Sequence, residues 1–171
     1  RQMCIRDRVK IVEGYRASNI PESADVIIIG NTISRGNEEA EEALNRKLLY
    51  QSLPEVLKDQ FLRGRRNFVV TGTHGKTTTS AILTWVLQSA GREPGYMIGG
   101  IPANLGRGAY FTDSEFNVLE GDEYDTAFFD KRSKFLHYLP EFAIINNIEF
   151  DHADIYNSLD EIKLTFRRFL N

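Results

Sequence analysis

Short apolar runs that end at a glycine or at acidic residues recur along this chain. The first is Val26–Ile29, which is entirely β-branched and is followed by Gly30. A continuous run of this kind predicts a buried strand of a parallel sheet. Comparable runs predict three further strands, over residues 67–71, 116–120 and 142–148.

Apolar residues at helical spacing predict four helices. The first covers residues 38–47 behind the N-cap Asn37, and the second is short and opens at Pro54. The third follows residue 78, and the fourth covers residues 158–170. The apolar positions of the last three are Leu53, Val56, Leu57 and Phe61; Ile82, Leu83, Val86, Leu87 and Ala90; and Leu159, Ile162, Phe166, Phe169 and Leu170, the last group as a buried stripe.

Strands that alternate with helices predict an α/β fold with a mostly parallel sheet. A polar stretch over residues 62–67 contains Gly64 and three arginines and leads into a new strand, so we place a domain boundary there. The expected division is a first partial domain over 9–65 and a second over 66–171. Residues 1–8 lack periodicity and are set aside as a doubtful leader.

A glycine-containing loop joins the strand over 67–71 to the third helix. Its residues are Gly72, Thr73, His74, Gly75, Lys76, Thr77 and Thr78. Backbone N–H groups at a helix start favour a bound phosphate, Lys76 can reach the β- and γ-phosphates of a nucleotide, and the Thr77 hydroxyl can bind Mg²⁺. The common G-x-x-x-x-G-K-[ST] pattern would have a glycine at Val70, so the match is incomplete.

Four carboxylates follow the strand over 116–120, namely Glu120, Asp122, Glu123 and Asp125. In an open α/β sheet this strand end faces the same crevice as the phosphate loop, and carboxylate oxygens suit Mg²⁺. Not all four can be metal ligands. We expect Asp122 and Glu123 to be solvated loop charges.

The three histidines differ in their predicted roles. His152 follows Asp151 near the end of the strand over 142–148, on the predicted active side of the sheet. A second metal site or a phosphate contact fits that position, although a lone histidine is more often structural. His74 occupies a variable position of the phosphate loop, and we expect His137 to be a packing residue.

Composition narrows the range of partners. The formal net charge is −3, which argues against a nucleic-acid or membrane-surface partner. Cys4 is the single cysteine of the sequence, so no intrachain disulfide forms. No apolar run reaches the ~20 residues of a membrane helix, and no signal-peptide pattern is present. We therefore predict a cytoplasmic protein.

Three segments in order resemble motifs of the Mur ligase family. Residues 71–79 resemble its nucleotide loop, which lacks the first glycine as this chain does at Val70. The acidic run from Glu120 resembles the second motif, and residues 147–152, which end in Asp-His, resemble the third. The resemblance implies the C-terminal part of a Rossmann-like UDP-sugar-binding domain over 9–65, then the N-terminal part of a P-loop ATP-binding domain over 66–171.

The same resemblance implies an ATP- and Mg²⁺-dependent amide ligase. In that family ATP phosphorylates the lactyl carboxylate of UDP-N-acetylmuramate, and the amine of an amino acid or a murein peptide attacks the acyl phosphate. Lys76 would stabilise the transferring phosphoryl group, Thr77 and Glu120 would hold one Mg²⁺, and His152 would help to hold a second. The residues expected near the sugar are Gly99, Gly100 and Asn104.

Within the family, a histidine at the position of His74 in the nucleotide loop resembles the members that act directly on UDP-N-acetylmuramate. Residues 29–37, 122–135 and 146–154 resemble the branch that adds L-alanyl-γ-D-glutamyl-meso-diaminopimelate in peptidoglycan recycling. An L-alanine-adding ligase and a non-catalytic nucleotide-binding module remain as alternatives. The chain as written lacks the start of the first family domain and all of the C-terminal domain, so we expect no ligation by this chain alone.

Overall fold

The computed structural model describes residues 10–149 and 158–170. Its strands are β1 (Ile27–Ile29), β2 (Tyr50–Ser52), β3 (Arg66–Thr71), β4 (Gly95–Met97), β5 (Ala109–Tyr110), β6 (Phe116–Glu120), β7 (Asp125–Ala127), β8 (Asp130–Ser133) and β9 (Pro140–Ile145). Its α-helices are α1 (Glu38–Asn45), α2 (Leu53–Leu57), α3 (Lys76–Ser89) and α4 (Leu159–Leu170). Short 3-10 helices cover Ala17–Asn19 and Lys134–His137, and a π-helical turn, Lys58–Leu62, extends α2.

The predicted α/β fold with a mostly parallel sheet is confirmed. The main sheet has the order β5-β4-β6-β3-β9, and its pairings are parallel except for β5 on β4. A separate parallel pair joins β1 to β2, and β7 and β8 form an antiparallel hairpin. No helix in the described ranges is both long enough and apolar enough to span a membrane.

Alternating residues of the central strands build a core on each face of the main sheet. Val69 and Leu119 are paired across β3 and β6 and are fully buried on one face, under α4 and the 3-10 helix Lys134–His137. Phe135 on that side stacks on Phe166 at 5.4 Å between ring centroids. On the other face, Val118 packs with apolar residues of α3. The sheet is therefore covered on both sides, as its near-continuous apolar strands require.

Apolar spacing predicted the helices correctly but not always the side that they bury. Ser80 and Thr84 are the buried residues of α3, whereas Ile82 is 58% exposed. The Thr84 hydroxyl donates to the Ser80 carbonyl at 2.8 Å, so this polar side chain is buried with a hydrogen bond. In α4 the predicted stripe is wrong at Leu170, which is 62% exposed.

Two other sequence expectations need correction. The strand predicted over Val26–Ile29 was expected to be buried, but only Ile29 is buried and Ile28 is half-exposed. The reason is that β1 pairs with β2 alone and does not join the main sheet. In the short helix from Pro54, Leu57 is buried while Leu53 and Phe61 are exposed. The strands β2, β4, β5, β7 and β8 were not predicted, since each has at most four residues and too few positions for a clear period.

A pair of buried asparagines ties two strands to the π-helical turn and to Leu139, the residue before β9. Asn117 in β6 donates to the Asn67 side-chain oxygen in β3 at 3.0 Å and to the Phe61 carbonyl at 3.2 Å. Asn67 donates to the carbonyls of Leu62 and Leu139, each at 3.0 Å. Both amides are almost fully buried, so these bonds replace those that water would make.

His137 is buried, which bears out its predicted packing role. Its Nε2 lies 2.9 Å from Oδ2 of Asp130. Burial, and then the positive charge of Arg132, lower the pKa of His137 despite the nearby carboxylate. The hydrogen bond and charge of Arg132 hold the pKa of Asp130 at about 2. At neutral pH the site therefore holds a neutral imidazole beside a charged carboxylate–guanidinium pair.

We expect Asn67→Leu to lower the free energy of unfolding by about 3 kcal/mol, because it removes three hydrogen bonds, those to the Leu62 and Leu139 carbonyls and the one from Asn117, at a fully buried position. Urea denaturation measures the change. Asn45→Leu, on an exposed side chain of α1, should change stability by under ~0.5 kcal/mol. Equal effects of the two substitutions would contradict a structural role for the asparagine pair.

We expect the urea midpoint to fall between pH 7.5 and pH 5.5. The pKa of His137 is lower in the folded chain than in the unfolded chain, so the unfolded state binds more protons as the pH drops through the ordinary histidine range. His137→Gln should reduce this fall, and His74→Gln, at an exposed side chain, should retain it. An undiminished fall in the His137 variant would show that other groups cause it.

Candidate nucleotide and metal site

Those residues predicted for nucleotide and metal binding that the structure describes come together at the carboxyl end of the inner strands of the main sheet. Strands β3 and β6 are adjacent and parallel, with Val70 in register with Glu120, so their carboxyl ends lie side by side. The phosphate loop leaves β3 at Thr71, and α3 begins at Lys76. The N–H groups in the first turn of α3 therefore lie at the strand ends where the acidic run follows β6.

Two glycines of the phosphate loop have backbone conformations that other residues rarely adopt. Gly72 has φ +121° and Gly75, the N-cap of α3, has φ +79°. A Cβ at position 72 would also lie 2.8 Å from the carbonyl oxygen of Asn147. Any side chain there would force apart the loop and the segment after β9.

Asn146 and Asn147 hold the phosphate loop in place. The Thr73 N–H donates to the Asn147 carbonyl at 3.1 Å, and the His74 N–H donates to the Asn147 side chain at 2.8 Å. The Asn146 amide donates to the His74 carbonyl at 3.0 Å. Sequence reasoning quoted these residues only as part of a motif that ends at His152, and their own role as loop supports was missed.

Thr77 and Glu120, the predicted pair of metal ligands, are in direct contact. The Thr77 hydroxyl donates to Oε1 of Glu120 at 3.0 Å. The Gly99 N–H donates to Oε2 at 2.8 Å, and a Cβ on Gly99 would lie 3.1 Å from the carboxylate. The glycine therefore lets the β4 loop approach and orient Glu120.

Lys76 and Glu123 form a buried ion pair, which corrects the expectation that Glu123 is a solvated charge. Their side chains are 14% and 4% exposed, and Lys76 Nζ lies 2.9 Å from Glu123 Oε2. The contact is short, yet neither carboxylate oxygen accepts a well-directed hydrogen bond from the described residues. Asp122, also expected to be solvated, is partly exposed and pairs with Lys134 at 2.7 Å.

The remaining predicted residues are placed only in part. His74 is exposed, and its Nε2 lies 3.9 Å from Glu149. Thr78 follows Thr77 in the first turn of α3. His152 and the neighbouring Asp151 lie outside the described residues, so their predicted metal role stays a prediction.

Two cavities open beside the phosphate loop. One of about 490 Å³ is reached by Lys76 and Glu120 and extends to residues of the first segment and of the β6–β7 loop; these include Ile29, Asn31, Pro54, Asp122, Tyr124 and Lys134. Another of about 660 Å³ lies along the exposed side of α3, near Trp85. Gly99 lines the first, while Gly100 and Asn104 line the second, so the three residues expected near one ligand are divided.

The donor set suits Mg²⁺ and a polyphosphate together. A hydroxyl and a carboxylate in contact supply the hard oxygen ligands that Mg²⁺ takes from a protein when phosphate and water provide the others. Within residues 10–149 and 158–170, no group of three or more His, Cys, Asp or Glu side chains could hold a metal ion.

Comparisons with known proteins place this geometry among related chains. The family model described as the Mur ligase middle domain matches residues 70–171, more than half of the chain. The UDP-N-acetylmuramate–L-alanyl-γ-D-glutamyl-meso-2,6-diaminoheptandioate ligase of Escherichia coli (strain K12) is 47% identical over 162 residues, which cover 95% of this chain and 35% of that protein. The UDP-N-acetylmuramate–L-alanine ligase of Syntrophomonas wolfei is 34% identical over 168 residues, covering 95% of this chain and 33% of that protein.

A solved structure is similar over nearly the whole chain. It is the crystal structure of UDP-N-acetylmuramate:L-alanyl-γ-D-glutamyl-meso-diaminopimelate ligase from Neisseria meningitides, with a TM-score of 0.93 at 44% identity. The similarity covers 98% of this chain and 55% of that one. The chain spans about a third of the length of the curated relatives described above.

Proposed function

This chain belongs to the Mur ligase family, and on that premise we propose that the protein containing it joins UDP-N-acetylmuramate to L-alanyl-γ-D-glutamyl-meso-diaminopimelate at the expense of ATP. The relatives with this substrate pair in their names are more similar to the chain than the L-alanine ligase is. This difference in similarity favours the tripeptide as the acceptor.

The observation that carries the proposal is that Lys76 and Glu120 line one cavity while the Thr77 hydroxyl donates to the Glu120 carboxylate. A phosphate held by the N–H groups of the loop would lie beside the Lys76 ammonium and the Thr77–Glu120 pair. The same cavity continues past Tyr124 towards Asn31 in the first segment. It thus offers room for an acid substrate next to the place where a γ-phosphate would lie.

In the proposed reaction the lactyl carboxylate of the sugar attacks the γ-phosphorus of ATP. The bond to ADP breaks as the acyl phosphate forms. The peptide amine then attacks the acyl carbon, phosphate leaves, and the amine loses a proton as the amide forms. Lys76 neutralises charge on the transferring group, and the loop N–H groups orient it, so catalysis depends mainly on positioning and electrostatics.

Thr77 and Glu120 are the proposed ligands of Mg²⁺, with His152 as the proposed ligand of a second ion. When bound, Mg²⁺ would neutralise phosphate oxygens and fix their orientation. Gly99 would keep the Glu120 carboxylate turned towards Thr77 through its N–H group. The proposed nucleotide-binding residues are those of the loop, 72–78.

We also propose the domain division made from the sequence. Residues 9–65 would contribute to UDP-sugar binding and residues 66–171 to ATP binding, and the separate β1–β2 and main sheets support this division. The buried cluster contains Leu57 and Leu62 together with Val69, so the two parts pack against each other. A cytoplasmic location stays a prediction.

Glu120→Gln should raise the Mg²⁺ concentration for half-maximal phosphate release by about tenfold or more, because the amide loses the charge that attracts the cation. The measurement is a Mg²⁺ titration of phosphate release with both substrates present. The control is Glu141→Gln, which removes an exposed carboxylate on β9 that pairs with Arg66 of β3. An unchanged Mg²⁺ requirement in Glu120→Gln would contradict its role as a ligand.

The acceptor is identified by phosphate release from ATP in the longest reading frame that contains this chain. Reactions hold UDP-N-acetylmuramate and either the tripeptide or L-alanine, and we expect release that depends on the tripeptide. Release with L-alanine but not with the tripeptide would identify the L-alanine-adding branch of the family. Release with neither, from a folded protein that binds ATP, would favour a non-catalytic nucleotide-binding module.

A further inference from the structure

We propose that Glu123 is a positioning residue for Lys76, which holds the lysine folded back on the phosphate loop and competes with the nucleotide for its ammonium. The proposal rests on the nucleotide-binding role given above to the loop. It assigns a function to a carboxylate that the sequence pattern marked as a solvated charge.

Three oxygen atoms of the protein lie within 3.3 Å of the Lys76 ammonium. Nζ donates to the carbonyl of Gly72 at 2.6 Å and to that of Thr73 at 3.3 Å, and it lies 2.9 Å from Glu123 Oε2. An ammonium has three N–H donors. Two of them bond to these carbonyls, and Glu123 adds an ion pair at short range but accepts no well-directed hydrogen bond in the described part of the chain. A phosphate that drew the ammonium out of the loop would have to replace these contacts.

Glu123 depends on Lys76 more than Lys76 depends on Glu123. The carboxylate is 4% exposed, and the ion pair with Lys76 is the polar contact that the described residues provide for it. A buried charge without a partner is strongly unfavourable. Moving Lys76 towards a phosphate therefore leaves Glu123 poorly compensated, and this penalty is subtracted from the binding energy of the nucleotide.

Electrostatic repulsion acts in the same direction. A polyphosphate in the loop would lie close to the ammonium and hence to the Glu123 carboxylate, and like charges at short range in a poorly solvated site repel. Mg²⁺ would offset this repulsion. Glu123 would thus weaken metal-free nucleotide binding most and would favour the nucleotide that arrives with its cation.

The sign of the effect separates this role from a structural one. Glu123→Gln keeps the shape of the side chain and removes its charge, so the proposal predicts tighter ATP binding. Loss of a residue that only supports the fold would weaken binding or leave it unchanged. Glu141→Gln is a matched control, since it breaks an ion pair of the same 2.9 Å length at an exposed site on β9.

The test is the Kd for ATP in EDTA, measured by calorimetry on the longest reading frame that contains this chain. We expect Glu123→Gln to lower the Kd about tenfold, equivalent to ~1.4 kcal/mol, and Glu141→Gln to leave it unchanged. In a Lys76→Met background, Glu123→Gln should give a clearly smaller gain, because the competition for the ammonium is gone and only the direct repulsion of the polyphosphate is relieved. Glu123→Asp, which withdraws the carboxylate by one methylene, should give a smaller gain and decides the question if the Gln variant does not fold.

An equal or higher Kd in Glu123→Gln would overturn the positioning role, and so would a gain of undiminished size in the Lys76→Met background. Either result leaves the proposed ligase function intact, because the wild type still binds ATP. A folded wild-type protein that binds no ATP with or without Mg²⁺ would overturn the nucleotide role and the positioning role together.

Discussion

The close approach of two backbones, one in the phosphate loop and the other after β9, governs the geometry of the candidate site. Gly72 lies so near Asn147 that no side chain fits between them, and Asn146 and Asn147 bind three groups of the loop. A loop held in this way does not have to be ordered by its ligand. Its N–H groups are presented in advance, which lowers the entropic cost of binding an anion.

The parallel order of the main sheet determines which side chains meet that loop. Because β6 lies directly beside β3, Glu120 emerges next to Thr77 although 43 positions separate them in the chain. The buried Asn67–Asn117 pair lies towards the opposite end of the same two strands and anchors the π-helical turn there. Polar side chains thus fix both ends of an apolar sheet.

Charged side chains around the loop are arranged in opposed pairs. Glu123 faces Lys76 and Asp122 faces Lys134, both beside the cavity that Glu120 lines. The acidic run after β6 therefore serves several purposes: one carboxylate is directed at Thr77, and two are matched with lysines. A bound nucleotide and cation would have to be accommodated within this arrangement of charges.

The sequence by itself determined the α/β class, the phosphate loop between β3 and α3, and the acidic run at the end of β6, because these features depend on local periodicity and on residue types in short order. It also indicated Thr77 and Glu120, through resemblance to a family. Only the tertiary structure decided that Glu123 is buried against Lys76, that Asn147 supports the loop, and that α3 buries Ser80 and Thr84 and not Ile82. Burial and pairing depend on which distant segments lie against a residue, and neither spacing nor composition carries that information.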